Sequence, residues 1–202
     1  MHRRALLESL LESLKGRLLM PGSRTDYAYL SPTDPAVQAM TDFRNGLMIT
    51  TPASTSIELA LQQMKLSGVR FAFVVDERGA LVGSVTSYDI QGEKPIRYMQ
   101  SLDRSLTTGA WRDVTVEDIM EPVAEWQVLD YLAVARLTIG DVASLMSDAD
   151  RRYLVVVEPM KDSEAQQVRG LFSGARVQML LGTSAPGVAP AHTFAEIERE
   201  II

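Results

Sequence analysis

Apolar positions along this chain follow three distinct rhythms. Residues 3–19 set Leu6, Leu7, Leu10, Leu11, Leu14 and Leu18 on one broad stripe, with Glu8, Glu12 and Lys15 largely opposite. That spacing predicts an amphipathic helix, which Pro21 and Gly22 stop. Two later segments, 57–64 and 139–146, carry apolar groups at i, i+3, i+4 and i+7. They are Ile57, Ala60, Leu61 and Met64 in one, and Ile139, Val142, Ala143 and Met146 in the other. Each predicts the core face of a two-turn helix. Seven residues after each methionine comes an apolar run ended by an acid, FAFVVD at 71–76 and YLVVVE at 153–158, which predicts a buried strand.

These segments repeat at a constant offset of 82 residues. After Asp76 the turn at Gly79 leads into ALVGSVT as a β-hairpin; after Glu158 the corresponding connection is five residues longer. From Gly83 and Gly170 onward the offset is 87. One insertion at a hairpin tip between two constant offsets is how duplicated domains diverge. First strands are expected near Leu47–Thr50 and Gln127–Leu132, giving each unit the order strand, helix, strand, strand, helix. The fold class is therefore α/β, with two small mixed sheets packed face to face as a pseudo-two-fold pair and extra terminal helices. By chain order the division is a helix and arm at 1–33, a first unit at 34–101, a linker and second unit at 102–182, and a connector and C-terminal helix at 183–202. Ile57, Met64, Phe73, Val75, Ile139, Met146, Val155 and Val157 are the expected core. Trp111 and Trp126, flanking the second leader, are read as core packing. Thr193 and Glu196 form a capping box for the last helix.

Composition narrows the chemistry. The 202 residues include no cysteine, and the two histidines, His2 and His192, lie near opposite ends, which disfavours thiolate, disulfide and histidine centres. Net charge is −6 with no basic cluster among aromatics, so nucleic acid is not an expected partner. No apolar run approaches a bilayer span, and Glu8, Glu12 and Lys15 break any signal-peptide core. A cytoplasmic protein is expected. Neither a G-x-S-x-G elbow, a P-loop nor a G-x-G-x-x-G is present, and no nucleophile–base set is visible, so no enzyme is expected. Asp141, Asp148 and Asp150 are read as solvated charge rather than a cation site.

The strings MITTPASTSIELALQQM, FAFVVDERGALVGSVTSYD and VTVEDIMEP resemble the recurring pattern of CBS (cystathionine-β-synthase) domains over about residues 34–182. The match is close in the first repeat and weaker in the second, and VEDIM at 116–120 echoes VQAM at 37–40 two residues off the main register. The resemblance implies a tandem regulatory pair that binds an adenosine-containing ligand such as AMP, ADP or ATP between its domains. It also implies a homodimer, with an unidentified protein partner to regulate. The family's ribose-binding motif falls on Gly83, Ser84, Val85, Thr86, Ser87, Tyr88 and Asp89. Asp89 would accept from the ribose hydroxyls and Thr86 would contact ribose or phosphate, beside Gly83 and Ser87. Backbone at Leu47, Met48 and Ile49 would edge the base.

Thr86 and Asp89 equally form a capping-box pattern, and both readings stand at this point. In the second repeat Ser173 matches Thr86, but Arg176 takes the aspartate's place. Arginine offers no acceptor to a diol, so Arg176 is either a phosphate partner for the first site or a solvated surface charge. The leucine stripe at 3–19 serves dimerisation, docking on a partner, or packing on its own core. The expected function is a non-catalytic adenosine-ligand sensor; the alternative is a ligand-free dimerisation or interaction scaffold.

Overall fold

A computed structural model of the protein describes residues 29–102, 113–160 and 165–182. The helices expected at 3–19 and after Thr193, together with Trp111, lie outside these residues. In chain order the elements are β1 (Thr41–Asp42), β2 (Thr50–Pro52), α1 (Ile57–Ser67), β3 (Phe71–Val75), β4 (Leu81–Thr86), α2 (Ser87–Gln91) and α3 (Lys94–Ser101). There follow β5 (Glu121–Pro122), β6 (Val128–Asp130), α4 (Tyr131–Val134), α5 (Ile139–Asp148), β7 (Tyr153–Pro159), β8 (Gln166–Ser173) and α6 (Gly174–Leu181). The fold is mixed α/β, with two four-stranded sheets among the described residues, ordered β2-β3-β4-β5 and β1-β8-β7-β6.

Local chemistry explains the helices. Ser56 caps α1 by accepting from the Leu59 N–H, and Gly68 at φ 67° closes it in the left-handed region that glycine enters without a Cβ penalty. Ile57, Ala60 and Met64 face the core of the first unit; Ile139, Val142 and Met146 on α5 do the same in the second. Thr138 and Asp141 form a full capping box at α5, and these bonds hold the Asp141 carboxyl below its ordinary value.

Of the expected core, seven residues are buried, but Val75 is only half-buried. It sits at a register shift in the β3–β4 ladder, which turns the strand end outward. The first strand also begins later than its pattern suggested. Leu47 and Met48 are exposed, and pairing starts when the Ile49 carbonyl accepts the Phe73 N–H at 2.9 Å. In the second unit β6 stops at Asp130, whose carboxylate accepts the Ala133 N–H at 3.1 Å and starts α4, so Leu132 is helical rather than extended. The longer second connection extends the β7–β8 ladder, pairing Pro159 with Gln166.

Chain order and packing part company at the leaders. Residues 35–42 open the first unit of the sequence division but complete the second sheet: β1 pairs antiparallel with β8, and Ala36, Ala39 and Met40 are buried in the second core. Residues 114–122 precede the second unit but complete the first. There β5 pairs with β4, and Val114, Val116 and Ile119 are buried in the first core. The division at 34–101 and 102–182 thus follows the sequence, whereas each sheet takes its closing strand from the other half. A third apolar cluster joins the two sheets through Phe71, Phe73, Val155, Val157 and Leu171.

A buried ionic group fastens the first leader. Arg169, 5% exposed, contacts Asp42 on β1 and Glu158 on β7, and its guanidinium lies 4.5 Å from the centre of the Tyr131 ring. Arg44 donates to both Glu158 oxygens at 2.9 and 3.0 Å, and Gln167 donates to one at 2.9 Å. A buried arginine is tolerable only when its charge is matched in this way.

Candidate functional site

The antiparallel β3–β4 register sets Phe71 opposite Thr86, bringing the end of β4 to the border between the units. Thr86 then caps α2. Its hydroxyl accepts the Asp89 N–H at 3.1 Å and donates to Asp89 Oδ2 at 2.7 Å, while the same oxygen accepts the Thr86 N–H at 2.8 Å. The capping-box reading is therefore realised. It uses one carboxylate oxygen. The other, Oδ1, pairs with Lys94 Nζ at 2.8 Å, and Lys94 also donates to the Ile119 carbonyl at 3.3 Å.

Thr86 and Asp89 line a cleft of about 210 Å³ between the units. Trp126 and Gln127 face it from the stretch before β6, and Arg151 and Arg152 from the stretch before β7. Phe71 and Tyr153, whose ring centres are 5.0 Å apart, line it from the two sheets. Arg151 is ion-paired with Glu121 on β5. Arg152 stacks over the Tyr88 ring at 4.3 Å, and Arg70 donates to the Tyr88 hydroxyl at 3.0 Å. Burial pushes the Tyr153 phenol up to about 12, with nearby Tyr88 adding to the shift.

The expected site residues do not all meet. Leu47, Ile49 and Arg176 line a different cleft, of about 460 Å³, on the other side of the pseudo-two-fold. Met48 lines neither cleft. Gly83 and Ser87 are buried in the scaffold: a Cβ on Gly83 would lie 2.7 Å from the Glu121 carbonyl oxygen, and the Ser87 N–H donates to the Arg70 carbonyl. Arg176 donates through Nε to the Ala39 carbonyl at 3.3 Å, away from the cleft that holds Asp89. Tyr88, Trp126, Gln127, Arg151, Arg152 and Tyr153 were not read as site residues from the sequence. The 82-residue offset pairs Arg70 with Arg152 and Phe71 with Tyr153, and that was the available signal. Among the described residues no group of three or more carboxylates or histidines is arranged to hold a metal ion. No described helix is long and apolar enough to cross a membrane.

The family model for the CBS domain matches residues 47–93, the span from the first strand to the Thr86–Asp89 motif and just beyond. No curated protein matches the chain. Among solved structures it resembles an uncharacterized conserved protein from Pyrococcus horikoshii at 18% identity and TM-score 0.51, covering 79% of this chain and 100% of that one. It is also similar to CBSX2, a CBS-pair protein from Arabidopsis thaliana, in a structure that contains AMP. That likeness has 23% identity and TM-score 0.48, over 72% of this chain and 94% of the other. A third likeness, at 21% identity and TM-score 0.48, is to the CBS domain pair of protein MJ0100, solved with 5′-methylthioadenosine and S-adenosyl-L-methionine; it covers 75% and 98% of the two chains.

Proposed function

Because the chain carries a CBS domain over residues 47–93 and repeats that fold in its second half, we propose that it is a non-catalytic regulatory module for an adenosine-containing ligand. The ligand, AMP, ADP, ATP or a related compound, occupies the cleft of Thr86 and Asp89. One observation carries the reading: Asp89 lines the cleft between the units, and among the described residues its Oδ1 is held by the half-exposed Lys94 alone. A ribose diol can replace that ammonium, since a carboxylate oxygen accepts either donor. The guanidinium of Arg152, which lines the cleft and has no carboxylate partner among the described residues, then meets phosphate, and Trp126, Phe71 and Tyr153 offer flat apolar surface to the base. A ligand held by both units fixes their relative placement, which is a signal a partner can read. The module acts as a homodimer, for which exposed Leu59 and Leu66 on α1 supply apolar surface; light scattering returning one chain mass at micromolar concentration overturns that part.

Calorimetric titration of the full chain with AMP, ADP, ATP and S-adenosylmethionine tests the ligand. A true ligand at a hundredfold excess over Kd adds roughly 2.7 kcal/mol to stability. Asp89→Ala should abolish that increment, whereas Arg176→Ala, in the other cleft, should leave it. Absence of binding by all four compounds at millimolar concentration replaces the sensor with the interaction scaffold.

A further inference from the structure

The two clefts are built from equivalent positions, and their chemistry is inverted. Around Asp89 the first cleft holds two further carboxylates, Glu121 and Asp150. By the strand registers and the repeat offsets, these three positions correspond to Arg176, Thr41 and Gly68 in the second cleft. Ser84, Gln127 and Arg151 likewise give way to Leu171, Ile49 and Val69. Every acid is gone. What remains is apolar surface, to which Phe43 and Leu47 add, with two cations at its edge, Arg70 and Arg176.

Neither cation is neutralised by a described residue. Arg70 donates to the Tyr88 hydroxyl and Arg176 to the Ala39 carbonyl, and no carboxylate among the described residues pairs with either. The capping box is dismantled as well. Ser173 precedes α6 but makes no side-chain cap bond, and Arg176, in the acid's place, has no carboxylate to return the reciprocal bond. Its hydroxyl is therefore not engaged as Thr86's is. A cavity of about 460 Å³ falls within the range of small-molecule sites.

We propose that this second cleft binds an apolar organic anion, an aromatic or branched aliphatic carboxylate that needs no ribose. The apolar body rests on Ile49, Leu171 and the phenylalanines, and the carboxylate pairs with Arg176 and Arg70 beside the Ser173 hydroxyl. Two arginines without carboxylate partners at the rim of an apolar cleft select negative charge attached to apolar bulk. A diol gains nothing there, since neither guanidinium can accept a hydrogen bond. The two clefts share Phe71, Tyr88 and Tyr153 as a common wall, but Arg176 and Ser173 line only this one, so the assignment does not require the adenosine reading.

The test is calorimetric titration of the full chain with 2-naphthoate and with 2-naphthamide, its neutral counterpart of nearly the same shape. Naphthoate should bind at least about tenfold more tightly than the amide, the increment expected of a charge-assisted contact. Arg176→Gln and Arg70→Gln should each reduce that preference for acid over amide, and the double variant should erase it. Equal affinities for acid and amide overturn the proposal. So do an indifferent Arg176→Gln variant or no naphthoate binding at millimolar concentration. Failure of AMP to bind leaves the naphthoate result standing and counts only against the first cleft.

Discussion

The sulfur of Met40 occupies the space that a side chain on Gly170 would need: a Cβ there would lie 2.6 Å from Sδ and 2.8 Å from the Thr41 carbonyl oxygen. The same contact recurs in the first unit, where a Cβ on Gly83 would meet Met120 Sδ at 2.8 Å and the Glu121 carbonyl oxygen at 2.7 Å. Each glycine is thus the seat of the leader strand contributed by the other half. Gly170→Ala should destabilise the chain by about 1–3 kcal/mol through overpacking. Adding Met40→Ala should not restore stability, because the backbone carbonyl remains in the way. Urea unfolding of the single and double variants measures both.

The ionic group around Arg169 gives a second expectation. Glu158→Ala leaves a guanidinium that is 5% exposed with Asp42 as its remaining carboxylate partner, and also strips Arg44 and Gln167 of their acceptor. With Asp42 still holding Arg169, the loss should lie between about 1 kcal/mol, as for an exposed pair, and about 3–5 kcal/mol, as for an uncompensated buried charge. Arg44→Ala, which removes a largely exposed partner, should cost under about 1 kcal/mol. Similar losses for the two variants in thermal unfolding would show that the buried centre is not what holds the leader.

Thr138 and Asp141 supply an internal reference for the Thr86–Asp89 box, since they cap α5 and line neither of the two clefts. Without ligand, Thr138→Ala and Thr86→Ala should each cost about 0.5–2 kcal/mol, the ordinary value of a cap. With saturating AMP only the Thr86→Ala deficit should grow. Asp141 adds a pH signature. Its carboxyl is held below 3.8, so its contribution is present above that value and is lost as pH falls through the lower folded value. Carbon-detected NMR titration should show the depression disappearing in Thr138→Ala.

Tyr153 gives a test at the alkaline end. With its phenol at about 12 against an ordinary 10.0, the unfolded chain loses that proton first. The stability associated with the buried phenol is present below pH 10 and falls as pH rises from 10 to 12. Ultraviolet titration should show a late phenolate component that is missing in Tyr153→Phe. A late component that survives the substitution would assign it to another tyrosine.

The first repeat was legible because local signals agree within it. Met64, Gly79, Gly83 and the Thr86–Asp89 spacing each specify a local conformation, and together they leave one order of elements. The leaders were half legible. Met40 and Met120 are visible as an echo, but no local pattern says which sheet a two-residue strand joins. The assembly of the clefts was obscured for the same reason. Leu47 and Ile49 lie near the Thr86 motif in the sequence, yet they line the cleft of Arg176; Trp126 and Gln127 reach Asp89 from the other half. Glu158 and Arg169 meet across the β7–β8 hairpin, but Asp42 lies more than a hundred residues earlier, and only the β1–β8 pairing brings it to Arg169.

The exchange of leaders makes the pair the smallest foldable unit. A fragment ending at residue 102 would keep β2, β3 and β4 but lack β5 and the buried Val114, Val116 and Ile119. A fragment beginning at 113 would bare the edge of β8. Neither half can be expressed as a faithful miniature of the whole, and cutting between residues 102 and 113 separates no independent parts.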